Sequence, residues 1–150
     1  RQRQMCIRDS ADTGQFWSGL TGELLCNSSL VLIVMDQRRA SAYGAIKALE
    51  LCQRLGIPMA RIAFVLNRAS GMSHSEIERI EDSLGCEELF RLADGKTTIE
   101  ALVGMGRIEE LVEEGPAPLP DIELLLTKLL PRIGIEFPAI ERKKTRRFFT

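Results

Sequence analysis

The sequence has few side chains that commonly bind a metal ion. It contains one histidine, His74, and four cysteines, no two of which form a Cys-x-x-Cys pair. Structural zinc sites use closely spaced cysteine and histidine ligands, so this sparse set argues against such a site. We therefore predict that Cys6, Cys26, Cys52 and Cys86 are reduced thiols in the core, which is typical of a cytosolic protein.

Long apolar runs are also absent. No segment has the ~18 consecutive apolar residues of a membrane-spanning helix, and no secretory signal peptide opens the chain. The 150 residues, 45% of them hydrophobic, are enough to bury one core of ordinary size. The sequence therefore predicts one domain in a soluble, cytoplasmic protein.

The net charge is only −1, but it is unevenly distributed. Five basic side chains and one acidic side chain lie within residues 141–150, so the rest of the chain is acidic. An acidic body argues against general nucleic-acid binding, and we predict no specific nucleic-acid partner. The basic tail has the positive charge needed for peripheral contact with an anionic membrane surface. The alternative is that the tail is solvated and contacts no membrane. Its cations are Arg142, Lys143, Lys144, Arg146 and Arg147.

Three parts of the chain differ in their pattern. Residues 1–10 show no periodicity that continues into the following sequence, and they resemble translated sequencing-adapter DNA, so we predict a non-native leader. An ordinary disordered terminus is the alternative. Residues 11–134 have the alternating pattern of one α/β domain, and residues 135–150 form the basic tail.

A phosphate-binding loop is missing as well. Gly95-Lys96-Thr97 matches the end of such a loop, but the loop also needs a glycine five positions before Gly95. Phe90 stands at that position, where a side chain prevents the backbone N–H groups from curling around a phosphate. We predict a helix start at Gly95 to Thr98 instead.

The clearest pattern that is present is a strand–helix–strand unit. Residues 30–35 form an apolar run without polar alternation, which predicts a parallel strand with both faces covered. Ser41 is predicted to cap a helix over 41–55, whose apolar residues are spaced three and four apart. A second strand is predicted over 62–66, and a right-handed crossover would place it parallel to the first.

Shorter signals predict the remaining elements and the fold class. The predicted elements are a helix from near Phe16 or Trp17 to Cys26, an edge strand over 89–92, helical turns over 98–103 and 107–112, and a helix from Pro120 that Pro131 bends or ends. A further helix is predicted to begin with a Ser73–Glu76 capping box, which leaves His74 exposed, and to end at Gly85. Together with the strand–helix–strand unit, they predict an α/β protein with three layers. Its mostly parallel sheet would carry helices on both faces.

The order of three motifs resembles a known family. Asp12-Thr13-Gly14 is followed by the strand Val31–Val34, and then by Val65-Leu66-Asn67-Arg68 at the end of the next strand. This order over residues 11–134 resembles the ParA/MinD family of P-loop ATPases with a deviant Walker A motif, especially its CpaE/TadZ pilus-assembly branch. Glu114-Gly115-Pro116 before the last helix fits the same pattern. Only the C-terminal half of the family's domain is covered, so the resemblance implies a P-loop NTPase-like fold truncated at its N-terminus.

The resemblance implies a site for ATP and Mg²⁺. Asp12 would hold magnesium through water, and Gly14 would be the hinge of a switch segment. Asn67 would hydrogen-bond the edge of adenine, and Arg68 would flank the same pocket. The resemblance also implies a homodimer of the full-length protein and a protein partner in a positioning or pilus-assembly system. From the residues alone, Asp12 could instead cap the helix that follows, and Asn67 could be a turn residue.

Two features depart from the family pattern. The turn Asp36-Gln37-Arg38-Arg39 differs from the Thr/Pro-Glu type of turn that the family usually has after this strand. Gly14 is also not directly followed by the Pro-Pro or Pro-Gly that is often found in the switch of the family. Because the phosphate loop is absent, we predict that this chain alone does not hydrolyse ATP. Two alternatives stay open, namely a non-hydrolysing scaffold or regulator of the same fold, and an unrelated P-loop or Rossmann-like module.

Overall fold

The computed structural model describes residues 9–14, 17–107, 109, 112 and 115–137. Its helices are α1 (Gly19–Asn27), α2 (Arg39–Arg54), α3 (His74–Leu84), α4 (Lys96–Gly104) and α5 (Leu119–Leu129). Its strands are β1 (Val31–Met35), β2 (Ile62–Ala69) and β3 (Leu89–Ala93), and short 3₁₀ helices cover Met59–Arg61 and Leu130–Ile133. The basic tail from residue 138 onward, residues 1–8 of the predicted leader, and residues 108, 110 and 111 of the predicted turn at 107–112 lie outside the described residues.

The three strands form one parallel sheet in the order β1-β2-β3. Val31–Met35 pairs with Ile62–Leu66 in an unbroken register, and α2, which connects the two strands, packs against β1. The prediction that these strands are adjacent and parallel is therefore confirmed. β3 pairs with β2 on the other side, so the predicted edge strand is confirmed as well.

Helices cover both faces of this sheet. On one face, α2 and α3 pack against alternate residues of the strands, and Cys52, Phe64 and Leu66 are almost fully buried there. On the other face, α5 packs against β2 and β3 through Leu125 and Leu129. The predicted α/β class, with a parallel sheet between helices, is therefore confirmed for a small sheet of three strands.

The outer face of β1 contradicts the prediction that both of its faces are covered. Val31, Ile33 and Met35 are buried, whereas Leu32 and Val34 keep 45% and 59% of their surface exposed. The reason is that α5, the helix on this side of the sheet, lies over β2 and β3 rather than over β1. Continuous burial over five residues is found in β2, the central strand.

Two helix starts differ from the prediction. Ser18, rather than a residue near Phe16, caps α1, because its hydroxyl accepts a hydrogen bond from the N–H of Thr21 at 3.2 Å. Helix α2 begins before Ser41, which is therefore not its cap. The Ser41 hydroxyl instead accepts the N–H of Asp36 at 3.0 Å and so closes the turn that follows β1.

The start of α3 and the end of α5 follow the prediction. The hydroxyl of Ser73 accepts the N–H of Glu76 at 3.3 Å, and the Glu76 carboxylate accepts the N–H of Ser73 at 2.8 Å, which completes the capping box. His74 is exposed, as predicted. Gly85 ends α3 with a left-handed φ of +61°, and α5 ends before Pro131.

The cysteines do not all lie in the core. Cys52 is buried and Cys86 is half-buried, but Cys26 is exposed, so the prediction is wrong for Cys26. It sits in the last turn of α1, a helix whose buried residues are Thr21 and Leu25. Burial raises the pKa of both the Cys52 and the Cys86 thiol, which keeps them protonated at neutral pH. Cys6 lies outside the described residues.

Candidate functional site

The carboxyl ends of the three strands meet at one edge of the sheet, which we call the carboxyl edge. It consists of the turn Asp36–Arg39 after β1, residues Asn67–Ser70 at the end of β2, and Asp94 after β3. In parallel α/β sheets, ligands bind in the crevice outside the carboxyl ends of the strands. Two of the predicted site residues, Asn67 and Arg68, therefore lie where a ligand is expected.

Strand β2 carries an irregularity at Asn67 and Arg68. Its register against β3 slips by one residue between Leu66 and Ala69, which is the pattern of a β-bulge. Arg68 has a left-handed φ of +56°, a conformation that costs a residue with a side chain roughly 1–2 kcal/mol. Bulges and strained residues are frequent beside binding sites because they redirect side chains away from the regular alternation of a strand.

The side chain of Gln37 holds this bulge in place. Its Nε2 donates to the carbonyl oxygen of Arg68 at 3.0 Å and to that of Ser70 at 2.9 Å. These two bonds tie the turn after β1 to the end of β2 and give the Arg68 and Ser70 carbonyls a hydrogen-bond donor. Sequence reasoning missed Gln37 and Ser70, although the departure from the family pattern at Asp36–Arg39 marked the turn as unusual.

Asn67 keeps hydrogen-bonding capacity for a ligand. Its Oδ1 accepts the N–H of Arg68 at 3.0 Å. Within the described part of the chain, its NH₂ group makes no hydrogen bond, so two donors are available beside the remaining lone pair of Oδ1. An amide with both donor and acceptor capacity at a partly exposed position can hydrogen-bond to the edge of a nucleobase.

Asp36 is held in an ion pair with the neighbouring Arg38. The Arg38 Nε donates to the Asp36 carboxylate at 2.7 Å, and the backbone N–H of Arg38 donates to its other oxygen at 3.0 Å. The side-chain bond from Arg38, followed by the backbone bond, lowers the pKa of Asp36. The carboxylate therefore stays ionised at neutral pH and is not free to act as a general base.

Asp12 and Gly14 lie in the segment before α1. The Asp12 carboxylate accepts the N–H of Gly14 at 2.9 Å, and Gly14 has a left-handed φ of +58°. This is a local turn, in which glycine avoids the steric cost of a positive φ. The alternative role of Asp12 as a helix cap is wrong, because Ser18 caps α1. Thr13 and Gly14 line a cavity of about 370 Å³ beside β1.

The structure separates the predicted site residues into two groups. Asn67 and Arg68 lie in the bulge, Asp12 and Gly14 lie in the segment before α1, and no hydrogen bond among the described residues joins the groups. The described residues also contain no cluster of three histidine, cysteine, aspartate or glutamate side chains around a metal position. A magnesium ion bound with a nucleotide needs only one or two carboxylates, since water and phosphate oxygens complete its shell. The exposed Asp12 carboxylate fits that kind of shared site.

A second cavity, of about 350 Å³, adjoins the carboxyl edge. It opens between β3, α3 and α5, and its lining includes Ala69, Ser70, Gly71 and Ala93. Its volume lies within the range of roughly 300–1,000 Å³ that is usual for small-molecule sites. The cavity thus begins directly after the bulge, although Asn67 and Arg68 are not among its lining residues.

The Gly95-Lys96 segment forms a helix start, as predicted. Lys96 is the first residue of α4, and its backbone N–H donates to the Asp94 carboxylate at 3.1 Å. A Cβ atom on Gly95 would lie 2.2 Å from the Ile99 Cγ1 and 2.8 Å from the Ala117 carbonyl oxygen. A carboxylate therefore occupies the position that an anion would take at this helix end, and protein atoms fill the space around it.

Comparison of the chain with models of protein families, with curated proteins and with solved structures gave no match. The assignment to the ParA/MinD family therefore stays a prediction from the order of its motifs. Among the described helices, none combines the length and the apolar character that crossing a bilayer requires.

Proposed function

We propose that the chain is part of an ATP-binding ATPase of the ParA/MinD type, resembling the CpaE-like branch, that works in subcellular positioning or pilus assembly. In this proposal the carboxyl edge holds the adenine of ATP. The 150 residues contain no phosphate loop, so the proposal assigns phosphate binding to polypeptide other than these residues. The full-length ATPase would act as a homodimer in the cytoplasm, with a protein partner from the positioning or pilus system.

The observation that carries the proposal is the bulge at Asn67 and Arg68. Gln37 ties this bulge to the turn after β1, so the strained backbone of Arg68 is held at the carboxyl edge rather than relaxed. Strain that is maintained by specific contacts is characteristic of binding sites. The free NH₂ donors of Asn67 supply the polar recognition at the carboxyl edge, where the partly exposed bulge leaves room for a planar ring.

Each predicted residue then has one role. Asn67 binds the adenine edge, and the Arg68 guanidinium flanks the ring, where a planar cation can stack on it. Asp12 holds Mg²⁺ through water, and Gly14 is the hinge of the switch segment, a role that its left-handed φ of +58° supports. ATP itself supplies the transferable phosphoryl group, and the Mg²⁺ bound to it offsets part of the negative charge of the phosphates.

Adenosine is the ligand that tests the proposal, because it carries the base without the phosphates that need a loop. We expect titration of the isotope-labelled chain with adenosine to shift the backbone amide signals of Asn67–Ser70 in NMR spectra. Guanosine presents a different pattern of donors and acceptors at the same edge, so it should cause smaller shifts. The Asn67→Ala variant should lose most of the adenosine response.

Asn27→Ala is the matched control for this variant. Asn27 is exposed at the end of α1, and its amide donates to the Glu23 carbonyl at 2.8 Å, so the substitution removes an asparagine far from the carboxyl edge. The control should respond to adenosine like the unmodified chain. Equal shifts with guanosine, or an unchanged response in Asn67→Ala, would contradict an adenine site at the bulge.

A further inference from the structure

A third cavity lies at the amino edge of the sheet, where β2 and β3 begin. It has a volume of about 570 Å³, and we call it the amino-edge cleft. Its apolar wall includes Met59, Ile62, Phe64 and Phe90. The volume lies within the range of roughly 300–1,000 Å³ that is usual for small-molecule sites, so the cleft can hold an aromatic side chain.

One part of the cleft is acidic. The connection between α3 and β3 contributes Glu87 and Glu88 to its lining. Glu88 pairs with Lys128, whereas Glu87 is exposed and forms no ion pair with another described residue. Both belong to a run of six carboxylates and one arginine over residues 76–88, which has a net charge of −5. Of the lining residues, only Arg132 is a cation, so the acidic run dominates the charge near the cleft.

The C-terminal end of α3 adds to this negative potential. Gly85 and Cys86, which follow the last residue of α3, line the cleft. The last carbonyl groups of a helix carry the negative end of its dipole, and cations are favoured beside them. The last turn of α3 contains no basic residue. A cation from another part of the chain would therefore be favoured here.

The chain leaves the described region beside this cleft. Arg132, in the last 3₁₀ helix, lines the cleft, and the N–H of Ile135 donates to the Leu130 carbonyl at 3.0 Å, which keeps the following backbone close to that helix. The described residues end at Phe137. The twelve residues from there to Phe149 span about 40 Å when fully extended, and closing a loop of this length costs little entropy. The tail can therefore return to the cleft.

The segment 141–150 has a composition that complements the cleft. Its five basic and one acidic side chains give it a net charge of +4, opposite in sign to that of residues 76–88. Arg146 and Arg147 are directly followed by Phe148 and Phe149, so two rings adjoin two guanidinium groups in the sequence. An aromatic ring suits the apolar wall of the cleft, and cations suit its acidic part.

We propose that residues 141–150 fold back onto the amino-edge cleft of the same chain. One of the two phenylalanine rings fills the space beside Phe90, and the neighbouring arginines lie against Glu87 and the C-terminal end of α3. The docked segment covers the cleft and offsets part of the charge of the acidic run. The inference does not depend on nucleotide binding, because the cleft and the carboxyl edge lie at opposite ends of the strands.

The thiol of Cys86 tests whether the cleft is covered, because Cys86 belongs to its lining. We expect Phe148→Ala/Phe149→Ala to increase the rate at which N-ethylmaleimide alkylates Cys86 by about fivefold or more, since that rate follows the fraction of chains whose cleft is open. Mass spectrometry of the digested protein resolves each cysteine. Exposed Cys26 should react equally in both proteins, and buried Cys52 should stay unreacted while the fold is intact.

Trp17→Ala/Tyr43→Ala is the matched control for the loss of two aromatic rings. These side chains are 53% and 62% exposed and do not line the cleft. The control should alkylate at Cys86 at the rate of the unmodified chain. Equal acceleration in both double variants would show that the phenylalanines act through general stability rather than by docking.

Charge reversal tests the electrostatic part of the contact. Arg146→Glu/Arg147→Glu places two carboxylates where the proposal puts cations, so it should also speed the alkylation of Cys86. Arg1→Glu/Arg3→Glu changes the net charge of the chain by the same amount in the other basic segment. This control should leave the rate unchanged.

A zero-length cross-link tests the contact without any substitution, and it decides the question even if a variant unfolds. A carbodiimide joins a lysine to a carboxylate when the two groups touch. In the unmodified chain, Lys143 or Lys144 should be joined to an acid of residues 76–88. A mixture of isotope-labelled and unlabelled chains shows whether each cross-link lies within one molecule, as we expect.

Other results overturn the proposal. They are equal alkylation of Cys86 in Phe148→Ala/Phe149→Ala and the unmodified chain, the absence of a cross-link to residues 76–88, and cross-links from the tail to the glutamates of 109–114 instead. Cross-links between labelled and unlabelled chains would place the tail on a second copy. Sedimentation of the chain with phosphatidylserine vesicles, together with Cys86 rates that do not depend on the tail, would assign the tail to a membrane surface. A negative adenosine titration would leave this inference intact.

Discussion

Arg61 connects the end of α1 to the start of β2. Its Nη2 group donates to the carbonyl oxygens of Leu25 and Cys26, at 3.4 and 3.1 Å, and also to that of Ser28. The last carbonyls of a helix have no partner within the helix, and a cation beside them is also favoured by the helix dipole. Arg61 thus supplies a cation to the end of α1, whose own last turn has no basic residue, and it adds to the cap that the N–H and hydroxyl of Ser28 provide.

We expect Arg61→Ala to lower the free energy of unfolding by about 1–3 kcal/mol, because the substitution leaves these carbonyls without their charged donor. Urea denaturation should show a lower midpoint with an unchanged slope. Arg79→Ala, which removes an exposed arginine from α3, should change the stability by less than about 0.5 kcal/mol. Equal effects of the two substitutions would show that the cap contributes nothing specific.

The capping box of α3 makes stability depend on pH. The backbone bond from Ser73, followed by its hydroxyl bond, lowers the pKa of Glu76. A lowered folded-state pKa adds stability above the ordinary value of 4.5, and this stability is lost as the pH falls through the folded value. The difference in Tm between the unmodified chain and Glu76→Ala should therefore be larger at neutral pH than in acid.

A non-titrating substitution on the same helix is the control for this pH effect. Ser83→Ala removes a hydroxyl that donates to the Arg79 carbonyl at 2.7 Å. Its Tm difference from the unmodified chain should stay constant with pH. If the Glu76→Ala difference is constant too, the carboxylate makes no pH-dependent contribution to the cap.

Sequence reasoning found some of these residues because their partners are close in sequence. Ser73 and Glu76 are three positions apart, and that spacing alone predicts the capping box. Gln37 and Arg61 bond to backbone atoms more than thirty residues away. Such partners are fixed only when the strands have assembled, so no local pattern marks these two side chains.

At the scale of elements, α5 covers the second face of the sheet. Leu129 on this helix keeps 1% of its surface exposed, whereas Leu124 keeps 54%. We expect Leu129→Ala to destabilise the fold by about 2–5 kcal/mol, through lost burial and the cavity that remains. Leu124→Ala should cost less than about 0.5 kcal/mol, and chemical denaturation of both variants measures the contrast. Similar losses would mean that α5 does not dock as described.

The pairing and direction of β1 and β2 could be predicted, but their surroundings could not. The apolar runs at 30–35 and 62–66 predicted β1 and β2, and the crossover rule predicted their parallel arrangement. The exposure of Leu32 and Val34 was missed, because an apolar run shows that a strand should be covered and not whether the covering element is present. The bulge at Arg68 was missed for a similar reason, since it is set by the register against β3.

For the whole molecule, the missing phosphate loop sets a limit on nucleotide affinity. Phosphate loops bind ATP mainly through backbone N–H groups and a lysine, and these 150 residues contain no such loop. We expect the chain to bind ATP with magnesium no more tightly than adenosine in calorimetry, and to release no phosphate from ATP. Low-micromolar binding of ATP, or turnover above a blank without protein, would contradict this expectation.

The unequal edges of the sheet also limit how copies of the chain can assemble. A fibre that grows by strand pairing needs two open edges on every molecule, one to accept and one to offer the next contact. Here Glu81 and Asp121 block one of them. At the β3 edge the N–H groups of Leu89 and Ala93 already donate to these carboxylates, so another strand would have to displace both before it could pair there. Among the described strands, pairing between folded copies is therefore favoured at β1 and opposed at β3.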